Sequence, residues 1–224
     1  GRAFKECSLL ESITIGKNVT SIAYDALMNC EALTSIVIDS NNGTYDSRNN
    51  CNAVIKTITN TFEIGCKNSK IQSSVTRLGT YAFYLCKALT AVRIPKTLNS
   101  IGAYAFSECN NLNQVSTDIM DPSEIQLEQN HCFDGIASNA VLVVPKGRKA
   151  AFEASSYWKN SFAQIIEDEN VNTIVNFEYD GKQYRGDYYE GTAVVTNATV
   201  STNYLDLPST VSYNGINFTL IGIE

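Results

Sequence analysis

Residues 82–94 read Ala-Phe-Tyr-Leu-Cys-Lys-Ala-Leu-Thr-Ala-Val-Arg-Ile, and residues 105–115 repeat the arrangement as Ala-Phe-Ser-Glu-Cys-Asn-Asn-Leu-Asn-Gln-Val. Cys86 and Cys109 therefore stand 23 residues apart, and two earlier copies keep the same spacing. A period of this length is typical of units that hold one short strand and one turn each. Because so small a unit cannot enclose a core of its own, the copies must stack on one another as a solenoid.

Apolar residues alternate with small or polar ones near the end of each copy, as in residues 12–15, Ser-Ile-Thr-Ile. This is the period of a strand with one buried face, so each copy is predicted to add one strand to a parallel sheet. The intervening side chains then point outward and form a broad surface that suits a protein or glycan better than a deep pocket does. These candidate binding residues are Ser12, Thr14, Ser35, Val37, Ala91, Arg93, Gln114 and Ser116. Arg93 is predicted to be an anchor for the partner.

The repeat pattern predicts a solenoid over residues 1–168, interrupted once. Between Cys30 and Cys86 the spacing is 56 residues, which is one repeat of 23 plus 33 more. The insertion, residues 39–70, is predicted to form a hairpin around Thr59-Asn60 and to join the sheet. Residues 146–163 have the composition of a short helix, which is predicted to cap the open end of the solenoid with Trp158 as its anchor.

Residues 171–224 show a different pattern, in which aromatic and β-branched residues alternate around turn signals. The pairs Asp180-Gly181 and Asn214-Gly215 favour tight hairpin turns because both residue types tolerate positive φ. This part of the chain is therefore predicted to be a small antiparallel β domain. The fold class predicted for the whole chain is mainly β.

These residues carry a resemblance to a known family. The repeat Ala-Phe-x-x-Cys-x-x-Leu, the insertion segment 45–55 and the closing segment 141–147, Val-Leu-Val-Val-Pro-Lys-Gly, resemble the BspA-like leucine-rich-repeat proteins of gut and oral bacteria. The resemblance implies a non-enzymatic, extracellular or cell-surface protein, and some members of that family are adhesins for host proteins. Because a stretch like residues 207–222 opens a repeat array in that family, we also expect the chain to be part of a longer array.

Composition and charge exclude several classes of function. With a net charge of −6 and a pI near 4.9, the chain lacks the excess of basic residues that is typical of a nucleic-acid-binding protein. No apolar run approaches the roughly 18 residues of a membrane span, so we expect no membrane insertion. The sequence lacks nucleotide-binding and Ca²⁺-loop motifs, and it has no Cys-x-x-Cys pair for zinc. We therefore expect neither a cofactor nor a metal, and no catalytic residue is predicted.

Three smaller features bear on function. The repeat cysteines are predicted to be buried, reduced thiols, and only Cys51 and Cys66, which flank the insertion hairpin, are candidates for a disulfide. His131, the single histidine, is predicted to be an exposed loop residue. The tripeptide Arg185-Gly186-Asp187 is the integrin-recognition sequence, but it is also explained by a simple turn at the glycine.

The function that these features predict is binding. We expect a non-enzymatic binding or adhesion module of a bacterial surface or secreted protein, which contacts a protein or glycan of a host or neighbouring cell. The alternative is a passive structural spacer within a larger surface protein or enzyme. A full-length sequence with a catalytic domain elsewhere would favour the spacer.

Overall fold

The computed structural model describes residues 1–128, 131–168, 174–179, 182–187, 192–197, 209–213 and 216–223. The chain separates into two compact units, Gly1–Val171, here called the repeat domain, and Asn172–Glu224, here called the C-terminal unit. Short 3₁₀ helices occur at Arg48–Asn50, Thr57–Thr59 and Pro122–Glu124. The helices of the repeat domain are α1 (Lys149–Ala154) and α2 (Ser156–Ser161). Its strands are β1 (Ser12–Ile15), β2 (Ser35–Ile38), β3 (Tyr45–Asp46), β4 (Ala53–Lys56), β5 (Thr61–Gly65), β6 (Arg77–Leu78), β7 (Ala91–Ile94), β8 (Ser100–Ile101), β9 (Gln114–Thr117), β10 (Gln126–Leu127), β11 (Val141–Pro145) and β12 (Gln164–Asp168).

The alternating segments of the repeats form parallel strands in matched register. β1 pairs with β2 as a two-stranded sheet, and β7, β9, β11 and β12 form a four-stranded sheet in that order. Ile13 lies opposite Ile36, and Val92 lies opposite Val115, so equivalent apolar residues stack on the core side. A parallel pair of this kind buries one face of every strand and leaves the other open. This open side, formed by the outward residues of β1, β2, β7, β9, β11 and β12, is here called the strand face.

A further sheet, here called the second sheet, is formed by the insertion and by short strands of the later repeats, and the sequence pattern did not predict it. Its strand order is β10-β8-β6-β5-β4-β3. β6, β8 and β10 are two-residue parallel strands that stack Leu78, Ile101 and Leu127. The insertion contributes β4 and β5, which pair antiparallel around Asn60, a residue with the left-handed φ of 50° that asparagine tolerates. The insertion hairpin therefore extends this second sheet and does not join the sheets that carry the strand face.

The turns between strands are also stacked, and the phenylalanine rings of successive turns stack on one another in the core. Phe83 and Phe106 stack with ring centroids 5.1 Å apart, and the same row continues from Phe62 to Phe133 at spacings of 4.9 and 5.3 Å. Phe83 and Phe106 are 1% and 0% exposed. These buried rings therefore pack consecutive turns against one another.

The two helices pack against the last coil of the repeat domain. Trp158 on α2 is 1% exposed and contacts Phe133, Phe152 and Phe162. Each helix has only six residues, so tertiary packing of these aromatic side chains, rather than helix propensity, holds the helices in place.

The C-terminal unit is a mixed sheet, so the prediction of a purely antiparallel domain is wrong in one respect. Its strands pair antiparallel except for β15 (Thr192–Asn197) and β17 (Ile216–Ile223), which run parallel. The sequence did not predict this pair because turn signals constrain only strands that follow each other in sequence. The predicted turns at Asp180-Gly181 and Asn214-Gly215 lie outside the described residues. The strands, in the sheet order β13-β14-β15-β17-β16, are β13 (Ile174–Tyr179), β14 (Lys182–Asp187), β15 (Thr192–Asn197), β16 (Thr210–Tyr213) and β17 (Ile216–Ile223).

Candidate binding surface

The strand face carries the eight candidate binding residues in two separate groups of four. On β1 and β2, Ser12 lies opposite Ser35 and Thr14 lies opposite Val37. Because the insertion separates β2 from β7 in the chain and builds a different sheet, the second group lies on another sheet. In that group, Ala91 lies opposite Gln114 and Arg93 lies opposite Ser116. The exposed members are Ser12, Thr14, Val37, Ala91 and Gln114, and the half-buried ones are Ser35, Arg93 and Ser116.

Arg93 has an intramolecular partner, which changes its predicted role. Its guanidinium donates to both carboxylate oxygens of Asp118, with an Nε to Oδ2 distance of 3.2 Å and a shorter contact through Nη2. The Arg93 side chain is 21% exposed and that of Asp118 is 10% exposed. Such a bidentate, partly buried pair holds the cation in the fold. Arg93 is therefore a bracing residue between coils, and the prediction that it is a free anchor for a partner needs this correction.

Two further strands extend the strand face beyond the predicted residues. Val141 on β11 lies opposite Gln114 of β9 and Gln164 of β12, and Val143 lies between Ser116 and Ile166. Ile166 is 37% exposed. The alternation in Val-Leu-Val-Val at residues 141–144 is the signal that could have identified this extension. The four-stranded part of the face is thus wider than the predicted residues indicate, and Ile166 makes it more apolar, whereas Val143 is buried at 7% exposure.

A second surface feature, here called the aromatic row, consists of Tyr24, Tyr81, Tyr104 and His131. Consecutive rings stack with centroids 4.7, 5.4 and 5.3 Å apart and interplanar angles of 24°, 7° and 6°. Tyr24 is 54% exposed. Each ring in this arrangement packs its face against the next ring, so the row stabilises the stack of turns.

His131 is exposed, as predicted, but it has two defined partners. Its ring stacks on Tyr104, and its Nδ1 lies 2.7 Å from Oδ2 of Asp134. These contacts account for the histidine as the last member of the aromatic row. Within the described residues, no three His, Cys, Asp or Glu side chains come close enough together to bind a metal ion.

The cysteines are free thiols, and most but not all of them are buried. In two repeats the thiol donates a hydrogen bond to the phenylalanine carbonyl of the preceding coil. The Cys30 thiol donates to Phe4 and the Cys109 thiol donates to Phe83, each at 3.0 Å. Burial raises the pKa of the Cys51 thiol to about 11, and it also raises the pKa of Cys109. Cys7 is exposed and Cys30 and Cys86 are half-buried, so the prediction that the repeat cysteines are buried holds for Cys109 and is wrong for these three.

Cys51 and Cys66 are not joined in this structure. Both are buried free thiols. Cys51 belongs to the larger hydrophobic core, whereas Cys66 belongs to the smaller core of the first two repeats. The hairpin therefore directs the two side chains into different parts of the interior.

Arg185, Gly186 and Asp187 lie in a strand, so the predicted turn at Gly186 is wrong. They form the second half of β14, which pairs with β13 on one side and β15 on the other. Gly186 lies opposite Val175 and Ala193. The sequence pattern suggested a turn because glycine between charged residues is common in turns. In the structure, pairing with β13 and β15 holds this backbone in an extended conformation.

The chain belongs to the BspA type leucine rich repeat family, because six copies of that repeat match over residues 1–61 and 59–182. The prediction of a mainly β leucine-rich-repeat fold is therefore confirmed. None of the curated proteins matches the chain. No described helix is long and apolar enough to span a bilayer.

Several solved structures are similar. A leucine rich cell surface protein from Faecalibacterium prausnitzii is 20% identical, with a TM-score of 0.44, over 71% of this chain and 48% of that one. A leucine-rich repeat protein from Eubacterium ventriosum is 17% identical, with a TM-score of 0.43, over 94% of this chain and 64% of that one. The pneumococcal vaccine antigen PcpA is 12% identical, with a TM-score of 0.37, over 71% of this chain and 56% of that one. This chain thus spans about half to two thirds of the length of these structures.

Proposed function

We propose that this chain is a non-enzymatic binding module of a bacterial cell-surface or secreted protein. Its partner is a protein or glycan of a host or neighbouring cell, and the contact surface is the strand face. The observation that carries the proposal is the register of outward side chains, such as Ala91 opposite Gln114, which aligns exposed, uncharged residues across neighbouring parallel strands. An exposed surface built across several strands suits a macromolecular partner, whereas small ligands need concave sites.

The distribution of charge on the strand face supports a broad contact. Ser12, Thr14 and Gln114 are uncharged and exposed, and the one cation, Arg93, is paired with Asp118. Binding there depends on many modest contacts around a few apolar ones, such as Val37 at 46% exposure and Ile166. The passive spacer is the competing function, and it requires that this face bind nothing.

The proposal is tested with an array of host extracellular proteins and glycans probed with the purified chain. Gln114→Arg places bulk and charge on the strand face and should weaken binding to any partner by about tenfold or more. Asn99→Arg is the matched control, since Asn99 is also exposed and uncharged but precedes β8 of the second sheet. Binding that survives Gln114→Arg unchanged would place the contact away from this part of the strand face and overturn the proposal, and no binding at all would favour the spacer.

A further inference from the structure

The side chain of Asn42 links the second repeat to the first. Its Nδ2 donates to the carbonyls of Gly16 and Val19, each at 3.0 Å, in the turn that follows β1. Its Oδ1 accepts from the N–H groups of Thr44 and Tyr45 at 2.9 and 2.8 Å. One amide group thus uses both hydrogens and its oxygen on four backbone groups. A carboxylate in its place could not donate the first two of these bonds.

These bonds lie beside the smaller core of the first two repeats. Tyr45 is 8% exposed and belongs to that core, and its hydroxyl accepts a hydrogen bond of 3.3 Å from the N–H of Ile22. Val19 and Ile22 pack against the same core. Among the described strands, β1 has β2 as its only partner. The Asn42 side chain therefore adds a link where the first repeat has fewer neighbours than a repeat in the middle of the domain.

The residue that follows Asn42 makes its amide chemically labile. Gly43 is exposed, and a Cβ built on it would meet no atom within 4 Å. Because glycine has no side chain and a permissive backbone, its peptide nitrogen can approach Cγ of a preceding asparagine with little hindrance. The chain has one other Asn-Gly pair, Asn214-Gly215, which lies outside the described residues.

Deamidation at such a pair requires only water. The Gly43 nitrogen gives its proton to water or hydroxide and forms a bond to Cγ of Asn42, and the Cγ–Nδ2 bond breaks as Nδ2 takes a proton and leaves as ammonia. One water then opens the five-membered imide, at the side-chain carbonyl to give aspartate or at the main-chain carbonyl to give isoaspartate. The net change consumes one water, releases one ammonia and transfers no electrons.

The folded structure opposes the first step of this reaction. Bond formation requires the attacking nitrogen and the carbon to reach about 3–3.5 Å in an aligned geometry. The Asn42 side chain must rotate to reach that geometry, and its four hydrogen bonds hold it in place. Separation of the first two repeats breaks the two bonds to Gly16 and Val19 and frees the side chain to rotate.

We propose that Asn42 is a site of spontaneous deamidation that the fold gates: the amide is protected while the first two repeats are packed together, and it reacts when they separate. The carboxylate of either product cannot donate to the carbonyls of Gly16 and Val19 and is repelled by them, so the link does not form again. The modification is therefore a one-way loosening of β1 and β2, which carry one part of the strand face. It does not depend on whether that face binds a partner.

The gate is tested by incubating the intact chain at mildly alkaline pH and mapping its peptides by mass spectrometry, which distinguishes asparagine from both products. We expect the reaction at Asn42 to be at least about tenfold slower in buffer than in urea that unfolds the chain. Leu33→Ala removes apolar volume from the smaller core and should raise the rate in buffer by about tenfold or more. Leu112→Ala is the matched change in the larger core and should leave the rate within about twofold of the parent.

Two further variants keep this test decisive. Ile36→Val is a milder change in the smaller core, where Ile36 is 1% exposed, and it serves with a smaller expected increase if Leu33→Ala does not fold. Gly43→Ala should slow the reaction in urea, because its methyl group hinders the attacking nitrogen, and the open space at Gly43 accommodates that group in the fold.

The consequence is tested with Asn42→Asp, which reproduces one product. It should accelerate amide hydrogen exchange in β1 and β2 by about tenfold or more and leave β9 and β11 unchanged. Asn99→Asp is the matched control, since Asn99 is exposed and precedes β8 of the second sheet, and its exchange in β1 and β2 should equal that of the parent.

Several results would overturn the proposal. A reaction as fast in buffer as in urea, or one that the folded smaller-core variants leave unchanged, would show that the fold does not gate Asn42. Equal acceleration by Leu33→Ala and Leu112→Ala would assign the reaction to global unfolding. Absence of the reaction in urea would remove its chemical basis, and parent-like exchange in Asn42→Asp would show that the link holds nothing together.

Discussion

Cys51 shows how a single buried thiol links stability to pH. It is 0% exposed, and burial raises its pKa from 9.0 to about 11. Between these values the unfolded chain loses the thiol proton while the folded chain keeps it, so the free energy of unfolding falls as pH rises through this window. The stabilising contribution is complete below pH 9 and is lost as pH rises to about 11.

We expect Cys51→Ala to flatten this dependence. Urea unfolding at several pH values between 9 and 11 should show a shallower fall in the variant, by up to about 1.4 kcal/mol per pH unit. Cys7→Ala is the control, because the Cys7 side chain is exposed and its replacement should leave the slope unchanged. Equal slopes in the parent and in Cys51→Ala would show that Cys51 ionises alike in both states.

The stacked phenylalanines are the element that holds one turn on the next. Phe106 is 0% exposed and lies between Phe83 and Phe133, so Phe106→Ala should lower the free energy of unfolding by about 3–5 kcal/mol. Phe4→Ala is the matched control at the same repeat position, and the 43% exposure of Phe4 predicts a much smaller loss. Both are measured by chemical denaturation. Similar losses in the two variants would show that the ring stack contributes little.

Elements that carry their own pattern could be predicted from the sequence, and elements set by contacts between distant residues could not. Ile13 and Ile15, or Val92 and Ile94, alternate over enough residues to identify a strand. The second sheet was missed because strands such as Arg77–Leu78 are too short to show any alternation. The parallel pairing of β15 with β17 was missed because no sequence signal reports which distant strands become neighbours.

The same distinction applies to the candidate surface, since some of its features could be predicted from the sequence and others could not. The outward direction of Ser12 or Gln114 follows from strand alternation alone, and the structure places both side chains at the surface. The ion pair between Arg93 and Asp118 joins residues 25 positions apart, so it depends on the register of two coils. The aromatic row escaped detection because Tyr24 stands two positions before Ala26, whereas Tyr81 directly precedes Ala82.

At the scale of the whole repeat domain, the insertion divides the interior into two hydrophobic cores. The smaller core contains Ile15, Leu33, Ile36 and their neighbours, and the larger one contains Leu112 with most of the remaining apolar residues. The smaller core supports a sheet of only two strands, and an apolar cavity of about 330 Å³ opens beside Phe4 and Leu27. Regions with fewer buried contacts open locally at lower free energy than the rest of a domain.

Leu33 and Leu112 occupy the same repeat position and are 1% and 0% exposed, so they report separately on the two cores. We expect Leu33→Ala to accelerate amide hydrogen exchange in β1 and β2 by about 30-fold or more, which corresponds to the lower end of about 2–5 kcal/mol for such a change, and to leave β9 and β11 unchanged. Leu112→Ala should accelerate exchange in β7, β9 and β11, because those strands share its core. Equal acceleration everywhere in both variants would mean that the repeat domain opens as one cooperative unit. Separate responses would mean that the two halves of the strand face open independently, so a partner that contacts both halves would stabilise the weaker one.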